Sequence, residues 1–287
     1  MNEPIAALKG IEMTLQPQAV PAPLNGDSTH QAFSATRTSS TSPVGAADSS
    51  KDSRKLYSKL IGGLFLAGFL VYGLGEGLVN SVVGGPDFLS TVSAHKTILV
   101  LGAFLMLLNV GVDVGKGVLF FPILERHGKR TALAYLATMI VEVVLLAVGV
   151  LSLLMIVPLA EQAADAGPAG AGWAQALGSL AVQANTMAYQ VAEMCLAVGC
   201  VFLCWLLLRT GLVPRPLAIL GLIGYPILAA GTIAELFGIH IGLILTIPGG
   251  LFELALAFWL LIKGFNPQAY GQVRDNQVRP AAAPATA

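Results

Sequence analysis

Long apolar runs separated by short polar connections fill the chain from residue 58 to residue 263. A helix rising about 1.5 Å per residue needs about 20 apolar residues to cross the hydrocarbon core of a bilayer. Six segments reach that length: roughly 58–83, 97–123, 131–157, 184–208, 216–236 and 241–263. The runs are continuously apolar and lack the alternation of a membrane β-strand. The pattern predicts an all-α polytopic membrane protein, with a bundle of six transmembrane helices over 57–264.

Composition agrees. Apolar residues make up 55% of the chain and charged residues 11%, against about 25% charged in a soluble domain. Net charge is zero, so the electrostatic footprint of a nucleic-acid binder is missing. Lys and Arg collect in cytoplasmic connections. Here they lie ahead of the first run (Lys51, Arg54, Lys55, Lys59), in the second connection (Arg126, Lys129, Arg130), in the fourth (Arg209, Arg215) and in the C-terminal tail (Lys263, Arg274, Arg279). The other three connections hold only Lys96. This alternation predicts that both termini are cytoplasmic.

Residues 1–56 contain no apolar run long enough for a signal peptide. Ser34–Ser50 is rich in Ser, Thr, Ala and Pro, too polar to bury a core, so 1–56 reads as a disordered cytoplasmic tail. Residues 265–287 read the same way. In the long third connection, Gly167–Gly172 is a flexible break. Trp173, Leu177 and Leu180 follow at helical spacing, which predicts a short helix lying on the outer membrane surface.

Each of the six runs carries one carboxylate: Glu76, Asp113, Glu142, Glu193, Glu235 and Glu253. Away from the ends of the runs, the one lysine is Lys116. Charges in hydrocarbon are costly and face a cavity or a partner. The acids fall on polar stripes at helical spacing: Tyr72, Glu76 and Asn80; Asn109, Asp113 and Lys116; Tyr135, Thr138 and Glu142; Thr186, Gln190 and Glu193; Tyr225, Thr232 and Glu235; Thr246 and Glu253. Asp113, Glu142 and Glu253 fall near the membrane midplane, Glu193 in the outer half, and Glu76 and Glu235 nearer the outer surface. Six carboxylates and one ammonium cannot all be charged in a dry bundle. Either some acids hold protons, or cations bind, or water fills a cavity. The bland alternative is that the acids are hydrogen-bonded glue between helices.

The remaining signals are weaker. Cys195, Cys200 and Cys204 match no zinc or redox spacing and read as small packing residues. His95, Glu235 and His240 are a minor candidate for a metal such as Zn²⁺; no two histidines share a run, which disfavours haem. Gly73, Gly75 and Gly77, with Gly111 and Gly115, read as close helix packing, a pattern compatible with a homo-oligomer. Pro248-Gly249-Gly250 precedes Glu253 and is either a kink or a broken helix of the kind that binds ions in transporters. No nucleophile elbow, P-loop or HExxH motif is present, and nothing calls for a cofactor.

Two segments carry a family resemblance. One runs from Gly199-Cys200 through Trp205-Leu-Leu-Leu-Arg-Thr-Gly-Leu-Val-Pro-Arg215 to Leu217-Ala-Ile-Leu-Gly221; the other is Glu253-Leu-Ala-Leu-Ala-Phe-Trp-Leu-Leu-Ile-Lys-Gly264. Both resemble the bacterial membrane family catalogued as domain of unknown function 4386, over roughly 56–265. Asp113 and Glu142 fall where that family is acidic. Met139 departs from it, standing where an arginine is expected three residues before Glu142. The resemblance implies six helices in a bacterial inner membrane and no particular activity.

The leading expectation is a transporter, permease or channel-like protein that handles a proton or small cation. Asp113, Glu142 and Glu253 would form the central site, Glu193 and Glu76 an outer vestibule, and Lys116 the counter-charge to Asp113. Alternatives are a membrane-embedded enzyme acting on a lipid or quinone, and a non-catalytic sensor or accessory subunit.

Overall fold

The computed structural model of the chain describes residues 43–271. Helices account for nearly all of them: α1 (Pro43–Val83), α2 (Phe88–Leu154), α3 (Ile156–Ala166), α4 (Pro168–Thr210), α5 (Arg215–Leu236) and α6 (Gly242–Ile262). Five stretches of helix are long and apolar enough to cross a membrane. The ends follow the punctuation of the sequence. Gly84, Gly85 and Pro86 stop α1, with the Gly84 amide returning to the Asn80 carbonyl at 3.0 Å. Gly211 closes α4 in the left-handed conformation at φ 67°, its amide bonded to the Leu207 carbonyl, the usual role of glycine just past a helix end.

α2 is a hairpin. At Gly128 the backbone leaves helical geometry, at φ −177° and ψ 86°. Residues fifteen apart in a straight helix stand about 22 Å apart, yet the Phe120 and Tyr135 rings lie 6.1 Å apart, edge to face. The limbs 96–127 and 129–154 therefore run antiparallel. They occupy the second and third apolar runs of the sequence.

The helices close a ring. α1 packs on the first limb of α2, where Gly75 and Gly102 meet so tightly that a Cβ on either would stand 2.7 Å from the other's carbonyl oxygen. The second limb packs on α4, α4 on α5, α5 on α6, and α6 returns to α1. At one end of the ring, the tail end, lie the start of α1, the α2 turn, the α4–α5 connection and the C-terminal segment. A large apolar cluster fills it, with Phe65, Phe120, Tyr135, Leu203, Tyr225, Phe252 and Phe265 among its members. A second cluster, including Val79, Phe88, Val92, Leu99 and Leu153, fills the far end. Among the described residues it draws only on α1 to α4.

Several sequence expectations change. α1 begins at Pro43, inside the stretch read as tail; Pro suits the first turn of a helix, and a membrane-anchored helix extends easily once nucleated. The expected C-terminal tail packs at its start. Phe265 is fully buried, its amide donates to Ser58 Oγ at 3.1 Å, its carbonyl accepts from the Arg54 guanidinium, and its ring stacks with Tyr270 at 6.3 Å. The Asn266 amide donates to the Leu212 carbonyl at 2.9 Å. Two aromatic rings supply the burial that the surrounding polar residues lack. The rest of both tails, 1–42 and 272–287, lies outside the described residues.

Trp173, Leu177 and Leu180 form no separate surface helix; they belong to the first turns of α4. The break falls at Gly167, at φ 65°, and the extra helix is α3 before it. Pro248 does not interrupt α6, which stays helical throughout. Gly224 of α5 lies against that stretch, where a Cβ would come within 2.8 Å of the Pro248 carbonyl carbon. Gly75 makes a close crossing as expected, whereas Gly73, Gly77 and Gly111 face open space. The three cysteines are free thiols, with Cys200 and Cys204 buried in the tail-end cluster.

Candidate functional site

Between the two clusters lies a cavity of about 480 Å³. Helical periodicity brings its lining together. α1 contributes Phe65, Gly68, Phe69 and Tyr72; the first limb of α2 contributes Asn109, Asp113 and Lys116; the second limb contributes Tyr135, Met139, Glu142 and Leu146. From α4 come Tyr189, Glu193, Leu196 and Cys200, and from α6 Thr246, Glu253 and Leu254. Each set repeats at three or four residues, one face of its helix. Four of the six acids and the lone lysine share this space.

The interactions are unequal. Lys116 Nζ lies 2.6 Å from Asp113 Oδ1. Asn109 Nδ2 donates to Asp113 Oδ2 at 2.7 Å. The ammonium also sits 4.8 Å from the centre of the Phe65 ring, within cation–π range. Gly68 makes room for this group: a Cβ there would stand 3.0 Å from Lys116 Nζ and 3.1 Å from Asn109 Oδ1. Asp113 and Lys116 thus pair on one helix, and the pair is buried.

The other acids lack such a counter-charge. Glu253 accepts a hydrogen bond from the Tyr225 hydroxyl at 2.9 Å, and Glu193 is hydrogen-bonded to Tyr189. Glu142 is 3% exposed, and its Oε2 has no hydrogen-bond partner; neither does Asn109 Oδ1. An unpaired buried polar atom costs about 1–3 kcal/mol. Both orphaned atoms belong to residues that line the cavity.

The remaining predicted residues lie elsewhere. Glu76 is exposed on α1 and is absent from the lining of the cavity; it is hydrogen-bonded to Asn80. Glu235 pairs with His240, Oε2 to Nδ1 at 3.0 Å, at the tip between α5 and α6. His95 is exposed on α2, where the backbone departs from helical geometry. Among the described residues no group of three His, Cys, Asp or Glu side chains stands together as a metal site.

Two predicted stripes rotate. On α4 the cavity face is Tyr189–Glu193–Leu196, while Thr186 is exposed and bonds its own helix at the Val182 carbonyl. In the second limb of α2, Thr138 donates to the Tyr135 carbonyl at 2.8 Å and is no part of the lining. Sequence reasoning missed Phe65, Phe69 and Tyr189. The spacing Phe65–Phe69–Tyr72 is the sequence signal for this face of α1.

No curated protein and no solved structure matches the chain. The profile of one family, described as a domain of unknown function (DUF4386), matches residues 60–264. That range covers the ring of helices and every residue that lines the cavity. The chain is therefore a member of the DUF4386 family.

Proposed function

We propose that this protein is a transporter of the bacterial inner membrane that moves a proton or small cation through the central cavity. The observation that carries the reading is the convergence of Asp113, Glu142, Glu193 and Glu253 on one space with Lys116 as the only ammonium, and with Glu142 Oε2 unpartnered. Simple interhelical glue would leave no buried carboxylate oxygen without a hydrogen-bond partner.

The reading includes six crossings, counting the two limbs of α2 separately, with both termini in the cytoplasm. The support is the basic charge gathered at the tail end, where Arg54, Lys59, Arg126, Lys129, Arg209 and Arg215 lie beside the start of α1, the α2 turn and the α4–α5 connection. Asp113, Glu142 and Glu253 form the central site, Glu193 adjoins it, and Glu76 marks the approach from the far end. The test is proton and cation flux into liposomes that contain the purified protein. Wild-type flux lost in Asp113→Asn and Glu253→Gln, in protein that still inserts, is the expected result. Undiminished flux in both variants overturns the site.

A further inference from the structure

We propose that the cargo of this cavity is an amphiphile with a primary ammonium head, admitted sideways from the bilayer between α1 and α6. The inference rests on the transport reading above, takes the proton as the ion that reading moves, and adds a co-substrate class and its route.

Aromatic rings narrow the axial routes. Toward the tail end stand the rings of Phe65, Phe120, Tyr135 and Phe252 in the continuous apolar cluster. Toward the far end, Tyr72 and Tyr189 stack face to face across α1 and α4, with centroids 5.6 Å apart at 19°. The lateral wall is different. Ile247 and Leu251 of α6 and Phe69 of α1 line the cavity and are also 62%, 54% and 40% exposed. Among the described residues neither α5 nor α6 contributes to the far-end cluster, whereas α6 packs closely on α1 at Gly62 and Ala257. Glycines line the seam. A Cβ on Gly73 would meet nothing within 4 Å, and Phe69 alone reaches the Gly250 position, at 3.8 Å. Apolar side chains at such an opening suit a molecule that arrives dissolved in lipid.

The interior specifies the head group. Glu142 Oε2 and Asn109 Oδ1 are buried acceptors without donors, and an ammonium brings three N–H donors and a positive charge. The rings of Tyr72, Tyr135 and Tyr189 offer faces that attract a cation. Leu146, Leu196, Leu228 and Leu254 line the same space and accept an alkyl chain. A volume near 480 Å³ is within the usual range for a small-molecule site.

The test uses the full chain in phosphatidylcholine nanodiscs and reads binding above that of empty discs. The probes are dodecylammonium, dodecyltrimethylammonium and methylammonium. Saturable dodecylammonium binding is expected, weakened about ten- to a hundredfold in Glu142→Gln, where a charge-assisted hydrogen bond is lost. The trimethyl probe, which has no N–H, should bind about tenfold more weakly, and methylammonium should not bind measurably. Gly73→Trp, whose side chain projects into open space, should slow dodecylammonium binding without unfolding the protein. Competition by phosphatidylethanolamine would assign the ammonium to a membrane lipid, and its absence to a free amphiphile. Equal binding of methylammonium and dodecylammonium overturns lateral admission, and equal binding of the trimethyl probe overturns the donor argument. Both comparisons use the wild type, so they hold even if a variant misfolds. Proton flux in the same protein is scored separately. Flux without amphiphile binding leaves the transport reading standing and removes only this one.

Discussion

The two ends of the ring are built differently. At the tail end every spanning helix contributes to a single aromatic-rich cluster, sealed by Phe265 from beyond α6. At the far end α1, α2, α3 and α4 pack together, while the tip of α5 and α6 contributes no buried apolar residue among the described ones. That tip exposes Phe237, Ile239, Ile241 and Ile244. The cavity lies where the α5–α6 pair parts from the other helices. The difference separates a fixed base from a half-free hairpin, with the carboxylates at the fork. Stability belongs to the base. Any motion that opens the site belongs to the hairpin, because the elements that move are those with the fewest buried contacts.

The strongest way to break this comparison is to remove the seal of the base. Phe265 is fully buried, with Phe120 at 6.0 Å and Tyr270 at 6.3 Å. Phe265→Ala should cost about 4 kcal/mol. For a protein of this size that lowers the thermal midpoint in detergent by roughly 2–4 °C per kcal/mol. A midpoint within about 1 °C of the wild type would mean that the C-terminal segment is not part of the base.

Next comes the fork itself. Lys116→Met leaves Asp113 buried with Asn109 as its remaining partner. Breaking a buried pair from one side costs about 3 kcal/mol or more. The double variant Lys116→Met with Asp113→Leu removes both charges and should recover most of the loss. If the single variant is as stable as the double, the pair is wet and contributes little to the ring.

Much of this architecture is legible in the sequence, and the failures have physical causes. Continuous apolar length identifies the spans because a bilayer demands it, and the turn at Gly128 falls in the basic connection Arg126–Arg130. On α4, Tyr189 and Gln190 stand four and three residues before Glu193, so both suit a polar stripe, and neighbouring residues differ by about 100° around a helix; packing selects Tyr189 for the cavity. Gly167, Gly170 and Gly172 look alike in sequence, yet the break falls at Gly167 alone, at φ 65°, and only tertiary packing selects among them. The placing of each acid on a polar face was legible in the spacing within each helix. The exclusion of Glu76 and Glu235 was not, since it depends on the order of helices around the ring.

A smaller effect is expected where the hairpin meets the base. Gly224 lets α5 touch α6 at Pro248, and a Cβ there would stand 2.8 Å from backbone that cannot yield as a side chain does. Gly224→Val should cost about 1–3 kcal/mol and should widen the fork, changing flux more than stability. The readout is the ratio of the two changes relative to Phe265→Ala. Loss of stability with unchanged flux would show that the crossing is merely structural.

The smallest effect should come from the tip. Phe237 is 82% exposed, so its ring has almost no packing to lose, and it faces lipid or the interface whether or not the hairpin moves. Phe237→Ala should change stability by no more than about 0.5 kcal/mol, against the large loss at Phe265. The pair compares the same residue type and the same truncation at opposite ends of one molecule, so side-chain chemistry cancels and only packing differs. Measuring both midpoints in one detergent removes the environment as a variable. Equal losses at the two positions would mean that the hairpin tip is held by contacts as firm as those of the base. The half-free hairpin would then have to be abandoned, and with it the reason for placing motion at the fork.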